Sequence, residues 1–156
     1  GEKMKLSTKG RYGLRAMIDL ARYSEDEPVS ISSIASRQAI SERYLEQLVA
    51  LLKKAGLVSS IRGAQGGYVL AKEASEISVG DVLRALEGSL EPVKCAAFYS
   101  EEGCLAAGGC VTKYVWQKIN DSINDTVDHI MLDELVEESK KVNPAGGCEE
   151  PQCSQP

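Results

Sequence analysis

SISSIASRQAISERYLEQLVALLKKAGLVSSIRGAQGGYVL, residues 30–70, decides the fold. Ser30 has the side chain to cap a short helix through Ile31, Ile34 and Ala35. Ser41 does the same for a longer one carrying Tyr44, Leu45, Leu48, Val49, Leu51 and Leu52, which Gly56 ends. Between them only a tight link remains, at about Gln38 to Ile40. Two helices so joined form a helix-turn-helix, whose second helix enters the major groove of DNA while the first crosses the backbone. Val58 to Arg62 is β-prone, Gly63-Ala64-Gln65-Gly66-Gly67 must turn, and Tyr68 to Leu70 is β-prone again. This predicts a hairpin wing with Arg62 and Gln65 at its tip.

Working outward, Tyr12, Leu14, Ala16, Met17, Leu20, Ala21 and Tyr23 recur at helical intervals, predicting a helix from Thr8 to about Ser24 that the run up to Pro28 stops. Downstream, Ser78 caps a helix through Val79, Val82, Leu83 and Leu86, closed by Gly88. Residues 89–110 show no period and carry three cysteines, the pattern of a functional loop. From Val111 the pattern turns helical again. Trp116, Ile123 and Ile130 lie seven apart, with Ile119 and Thr126 between them, a repeat suited to a partner helix from a second copy. The expected fold is therefore mainly α with a small β-hairpin wing: a winged helix-turn-helix over 4–88, a cysteine-bearing loop over 89–110, one long dimerisation helix over 111–141 and a disordered tail over 142–156.

The formal net charge of −5 would oppose binding to a polyanion if it were spread evenly. It is not: residues 1–72 hold 12 Lys/Arg against 7 Asp/Glu, and the remainder 6 against 16. Only the first half suits phosphate. No apolar run reaches the roughly 18 residues of a membrane span, and the start has no export signal, so a cytoplasmic protein is expected. Gly1 to Lys3, ahead of Met4, read as the remnant of a tag. Five cysteines without an export signal suit metal or redox chemistry better than disulfides.

LSTKGRYGLRAM at Leu6, SERYLEQL at Ser41, LKKAGLVSSIRGAQGGYVLAK at Leu52 and SVGDVLRALEG at Ser78 resemble the bacterial winged-helix repressor family that contains IscR, NsrR, RirA and CymR. The resemblance runs from Met4 to about Lys141 and is nearest to the IscR type. It implies a homodimeric repressor whose C-terminal helices cross between subunits, and an iron-sulfur cluster, 2Fe-2S rather than 4Fe-4S, on three cysteines before that helix. The matching positions are Cys95, Cys104 and Cys110, whose thiolates suit iron, with a helix start just after Cys110 to lower the thiol pKa. The departures from the family include a longer spacing between Cys95 and Cys104, Arg43 where the IscR type has a small polar residue, and two ligand positions. IscR-type proteins take a fourth ligand from a histidine where this chain has Lys113, and NsrR-type proteins take an aspartate where it has Arg11. The fourth ligand is left to a carboxylate, a backbone or hydroxyl group, an exogenous thiol, or Cys148 or Cys153. His129 reads as a packing or surface residue.

By the same motifs, Ser41, Arg43, Tyr44 and Glu46 begin the recognition helix. Glu46 can accept from a cytosine amino group and Arg62 can read guanine or a narrow minor groove. Lys9, Arg11 and Tyr12, with the Gly66-Gly67 amides, would hold phosphates and set register. The partner is double-stranded DNA with a pseudo-palindromic operator. Loss or oxidation of the cluster would shift the balance between two orientations of the DNA-binding heads. The favoured role is control of iron-sulfur biogenesis genes. The alternative is a cluster-free regulator of cysteine metabolism like CymR, governed by a partner protein or thiol oxidation. An enzyme is disfavoured, for a single histidine and no nucleophile-base pair offer little catalytic chemistry.

Overall fold

The computed structural model describes residues 7–91 and 111–146. Three helices come first, α1 (Thr8–Tyr23), α2 (Ile31–Gln38) and α3 (Glu42–Lys54). They are followed by an antiparallel hairpin, β1 (Val58–Ile61) and β2 (Gly67–Leu70), and a short 3-10 turn at Ala74–Glu76. Three more helices complete the order: α4 (Val79–Glu87), α5 (Thr112–Asp128) and α6 (Leu132–Val142). The expected class, mainly helical with one small hairpin, is the one observed.

Serine sets four of the helix starts. The side chains of Ser7, Ser30, Ser41 and Ser78 accept from the backbone N–H of Lys9, Ser33, Tyr44 and Asp81. Asp81 returns the favour by accepting from the Ser78 N–H, closing a capping box. Each such cap contributes about 1 kcal/mol. α2 ends with Ala39 in the left-handed region (φ 53°), and the Ile40 N–H reaches back to the Ala35 carbonyl at 3.1 Å. That bond closes a Schellman turn and drops Ile40 into the core, so α3 departs at once in a new direction.

The core is a single cluster. Met17, Ile34, Leu45, Leu48, Leu52, Ile77, Val82 and Leu132 are its largest fully buried side chains, each stabilising the fold by about 1.5–3 kcal/mol. One charged side chain lies among them. Asp19 accepts from Arg37 Nε at 2.9 Å, Arg37 Nη2 at 2.7 Å and Gln38 Nε2 at 2.9 Å, so the carboxylate is fully partnered. This bonding holds Arg37 above its ordinary pKa. The cluster ties α1 to the end of α2, next to the turn that aims α3. Arg15, also from α1, donates to the Gln38 carbonyl beside it.

Val58 pairs with Leu70, Ser59 with Val69, Ser60 with Tyr68 and Ile61 with Gly67. On the far side of β2, Val29 and Tyr68 exchange two backbone bonds at 2.9 and 2.8 Å, giving the hairpin a third, one-residue strand. Gly67 allows this approach, since a Cβ there would lie 2.6 Å from the Val29 carbonyl oxygen.

Two expectations are corrected. The helix expected over 111–141 is broken between Asp128 and Leu132. Ile130 and Met131 leave helical geometry to meet the chain entering α4: the Val79 N–H donates to the Ile130 carbonyl at 2.9 Å, and the Leu132 N–H to the Ile77 carbonyl at 2.8 Å. The turn lets α6 bury Leu132 and Val136 and pack against α1. Ile130 therefore does not continue the apolar seam of α5. Nor is the start of the tail disordered, because Arg22 donates to the carbonyls of Asn143 and Pro144, both at 2.8 Å. A guanidinium placed there satisfies carbonyls at the negative end of α6.

Candidate nucleic-acid interface

α3 has two faces. Leu45, Leu48, Val49 and Leu52 are buried, while Glu42, Arg43, Glu46, Gln47, Ala50 and Lys53 are exposed, a polar stripe repeating every three to four residues along the helix. Ser41 is exposed at its start, where its hydroxyl accepts the capping bond and keeps its own hydrogen to donate. At the other end Lys53 Nζ donates to Ser60 Oγ at 2.8 Å, which joins α3 to β1. Beyond β1 the wing tip presents Arg62, Gly63, Ala64 and Gln65.

The first turn of α1 adjoins the first turn of α3, since Thr8 Oγ1 and Tyr44 Oη lie 2.9 Å apart. Lys9 and Arg11 are exposed there. The structure thus brings Lys9, Arg11, Ser41, Arg43, Glu46, Arg62 and Gln65 onto three adjoining elements. Gln47 and Lys53 extend the set. Helical spacing alone could have found Gln47, four residues after Arg43; Lys53 needed the hairpin contact.

Four expected DNA contacts are placed differently. Tyr12 is 7% exposed and belongs to the core. Its ring meets that of Tyr44 edge-on, with centroids 6.2 Å apart, and the Arg15 guanidinium lies 4.9 Å from its centroid. Tyr44 itself is half-buried and turned towards Thr8. The Gly66 N–H is already used, donating to the Gly63 carbonyl at 3.0 Å. Tyr68 faces Val29, so by the alternation of an antiparallel strand Gly67 faces β1 and its N–H belongs to the ladder. The glycines shape the wing, and what it presents to a partner is its side chains.

Cys95, Cys104 and Cys110, with Cys148 and Cys153, lie outside the described residues. Among the described residues no three His, Cys, Asp or Glu side chains gather to hold a metal. His129 is exposed at the C-terminal end of α5, its Nδ1 2.6 Å from the Asp125 carbonyl, and that carbonyl and the Asp125 carboxylate raise its pKa. α5 is about 25 Å long at 1.5 Å per residue, so His129 is out of reach of a group held just before the helix in the same chain. Three thiolates are a fitting donor set for an iron-sulfur group. Lys113 is not, because an ammonium has no lone pair to offer.

α5 buries none of its side chains in the single chain and packs against α4. Arg84 of α4 makes the polar joint, forking to Asp128 at 2.6 and 3.0 Å and to Asn124 at 2.6 Å. Along α5, Ile119, Ile123 and Val127 line an apolar groove, and Val111, Tyr114 and Val115 stand exposed towards the start of the helix. No helix among the described residues is long and apolar enough to cross a membrane.

Comparison with known proteins agrees with this geometry. Residues 6–138 match the Rrf2 family, described as an iron-dependent transcriptional regulator. The chain is 45% identical over 133 residues to the HTH-type transcriptional regulator IscR of Pectobacterium carotovorum, covering 85% of this chain and 79% of that one. Among solved structures it is similar to T. potens IscR, with TM-score 0.72, 48% identity, and 92% and 93% of the two chains covered. It is also similar to CymR, the global cysteine regulator of B. subtilis, with TM-score 0.71, 44% identity, and 86% and 97% covered. With the winged helix-turn-helix in place and this match along most of its length, the chain belongs to the Rrf2 family of DNA-binding transcriptional regulators, a family of regulators rather than enzymes.

Proposed function

We propose that this regulator works as a cytoplasmic homodimer on a pseudo-palindromic operator and reports iron-sulfur status through a cluster, of the 2Fe-2S type, held by Cys95, Cys104 and Cys110. The observation that carries the DNA-binding part is the exposed stripe Arg43, Glu46, Gln47 and Lys53 on a helix whose other face is core, flanked by the Arg62 wing tip. Glu46 and Arg62 read bases; Lys9, Arg11, Ser41, Arg43, Gln65 and Lys53 position the duplex on its phosphates. The dimer forms along α5, whose groove of Ile119, Ile123 and Val127 has no occupant among the described residues.

The three thiolates support the cluster, as do the IscR proteins to which the chain is similar. The genes controlled are then those of iron-sulfur biogenesis. Anaerobic purification with iron and sulfide analysis tests this on wild type and Cys104→Ala. Stoichiometric iron and sulfide in the first and not the second are expected. A second reading is favoured by Lys113, which stands where a histidine ligand is required, and by the likeness to CymR: a cluster-free regulator responding to cysteine supply or thiol oxidation. An iron-free wild type that still binds its operator would establish that reading instead.

A further inference from the structure

The N-terminus of α1 has a local cap for only part of its backbone donors. Ser7 caps the helix and serves the Lys9 N–H. In a capping box the third helical residue supplies a carboxylate that accepts from the cap's own N–H. Here that residue is Gly10, which has no side chain. The carboxylate comes instead from α4: Glu87 Oε1 accepts from the Ser7 N–H at 3.0 Å, the Gly10 N–H at 2.9 Å and the Ser7 hydroxyl. A Cβ on Gly10 would stand 2.8 Å from that oxygen, so the bare glycine and the distant glutamate fit one another.

The same turn of α1 carries Thr8, whose hydroxyl meets Tyr44 Oη at 2.9 Å. Tyr44 is in the first turn of α3, beside Arg43 and half a turn before Glu46. We propose that Glu87 is a positioning residue for DNA recognition: it fixes the first turn of α1, which through Thr8 and Tyr44 fixes the start of the recognition helix. It touches no DNA. Since α4 also holds α5 through Arg84 and Asp128, this one helix joins the dimer helix at one point and, by way of α1, the recognition helix at another. The inference rests on α3 being the recognition helix.

The test uses a duplex selected by the wild-type protein from a random pool, and a scrambled duplex of equal length and composition. All three donors go to one oxygen, so Glu87→Gln keeps the acceptor and holds the wild-type ratio of the two affinities. Glu87→Ala removes it and lowers that ratio about tenfold, the size of a lost helix cap. Both variants lose one negative charge, so they bind the scrambled duplex alike. Thr8→Val, which breaks the next link without touching Glu87, lowers the ratio about threefold. It adds little to Glu87→Ala in the double variant. A wild-type ratio in folded Glu87→Ala overturns the proposal; should that variant not fold, a wild-type ratio in Thr8→Val does so. Glu46→Ala reports on the recognition helix separately. Lost selectivity there with unchanged selectivity in the other variants removes only the role of Glu87, whereas intact selectivity in Glu46→Ala removes the reading of α3 on which it depends.

Discussion

At the scale of single residues, burial separates groups that the sequence places side by side. Arg11 and Tyr12 are neighbours in the chain, and both suggest a DNA contact; in the fold Arg11 is exposed and Tyr12 is core. Glu46 and Arg62 remain on the surface, and alanine at either should cost about 1–3 kcal/mol of operator binding and relax discrimination at one base, while scrambled duplex responds only to the change of one charge, binding tighter in Glu46→Ala and weaker in Arg62→Ala. Competition binding against operators varied one base pair at a time checks this. Gly67→Ala works through structure instead. Its new methyl group meets Val29 backbone at both the carbonyl oxygen, 2.6 Å away, and the amide nitrogen, 3.0 Å away, and backbone yields less easily than a side chain end. A loss of about 1–3 kcal/mol in urea unfolding is expected, together with loss of the Val29 to Tyr68 bridge. Conformationally special glycines are visible in a sequence as glycines. What each one approaches is not, which is why Gly66 and Gly67 read as a phosphate cradle until Val29 and Gly63 take their places.

At the scale of elements, local chemistry made most of the fold legible. Ser30, Ser41 and Ser78 cap the helices they precede, and the apolar period of α3 picks out the four residues that are buried. The break after α5 was hidden because no glycine or proline marks it. It comes from backbone bonds to Ile77 and Val79, some fifty residues earlier in the chain. The acidic pair Asp133 and Glu134, at the start of α6, was the available signal of a new helix. The joint between α4 and α5 carries its own pH signature. Arg84 holds the Asp128 carboxylate below its ordinary value of 3.8, so its contribution to stability is present above that value and disappears as pH falls through the folded pKa. Asp125 raises His129 above its ordinary 6.5, giving the opposite sense: a contribution complete below 6.5 and lost as pH rises through the folded value. Unfolding titrations should therefore show Asp128→Asn flattening the acid side of the stability profile and His129→Gln flattening the side above 6.5. Both groups are well exposed, so the changes will be small and will shrink further in high salt.

At the scale of the whole molecule, charge and apolar surface are separated along the chain. The basic excess lies in residues 1–72, which supply α1, α3 and the wing, and the acidic excess follows, with α4, α5 and α6. In the proposed complex the basic half would meet DNA, and the acidic excess elsewhere would lower indiscriminate binding to nucleic acid. A 17-residue helix with no buried side chain has little reason to be ordered in a lone subunit beyond its contact with α4. In the proposed dimer, its groove of Ile119, Ile123 and Val127 would supply the reason. Ile123→Glu puts a charge into that groove without entering the core around Met17 and Leu48. Sedimentation should then show a monomer whose circular dichroism keeps the helical signature of the first domain. Each head would bind a half-site alone, and affinity for the full operator would fall by about a hundredfold or more, because the second head no longer binds as a tethered partner. Affinity for an isolated half-site should stay within about twofold of the intact protein's per-head value, and a dimeric Ile123→Glu with unchanged operator affinity would place the subunit contact elsewhere.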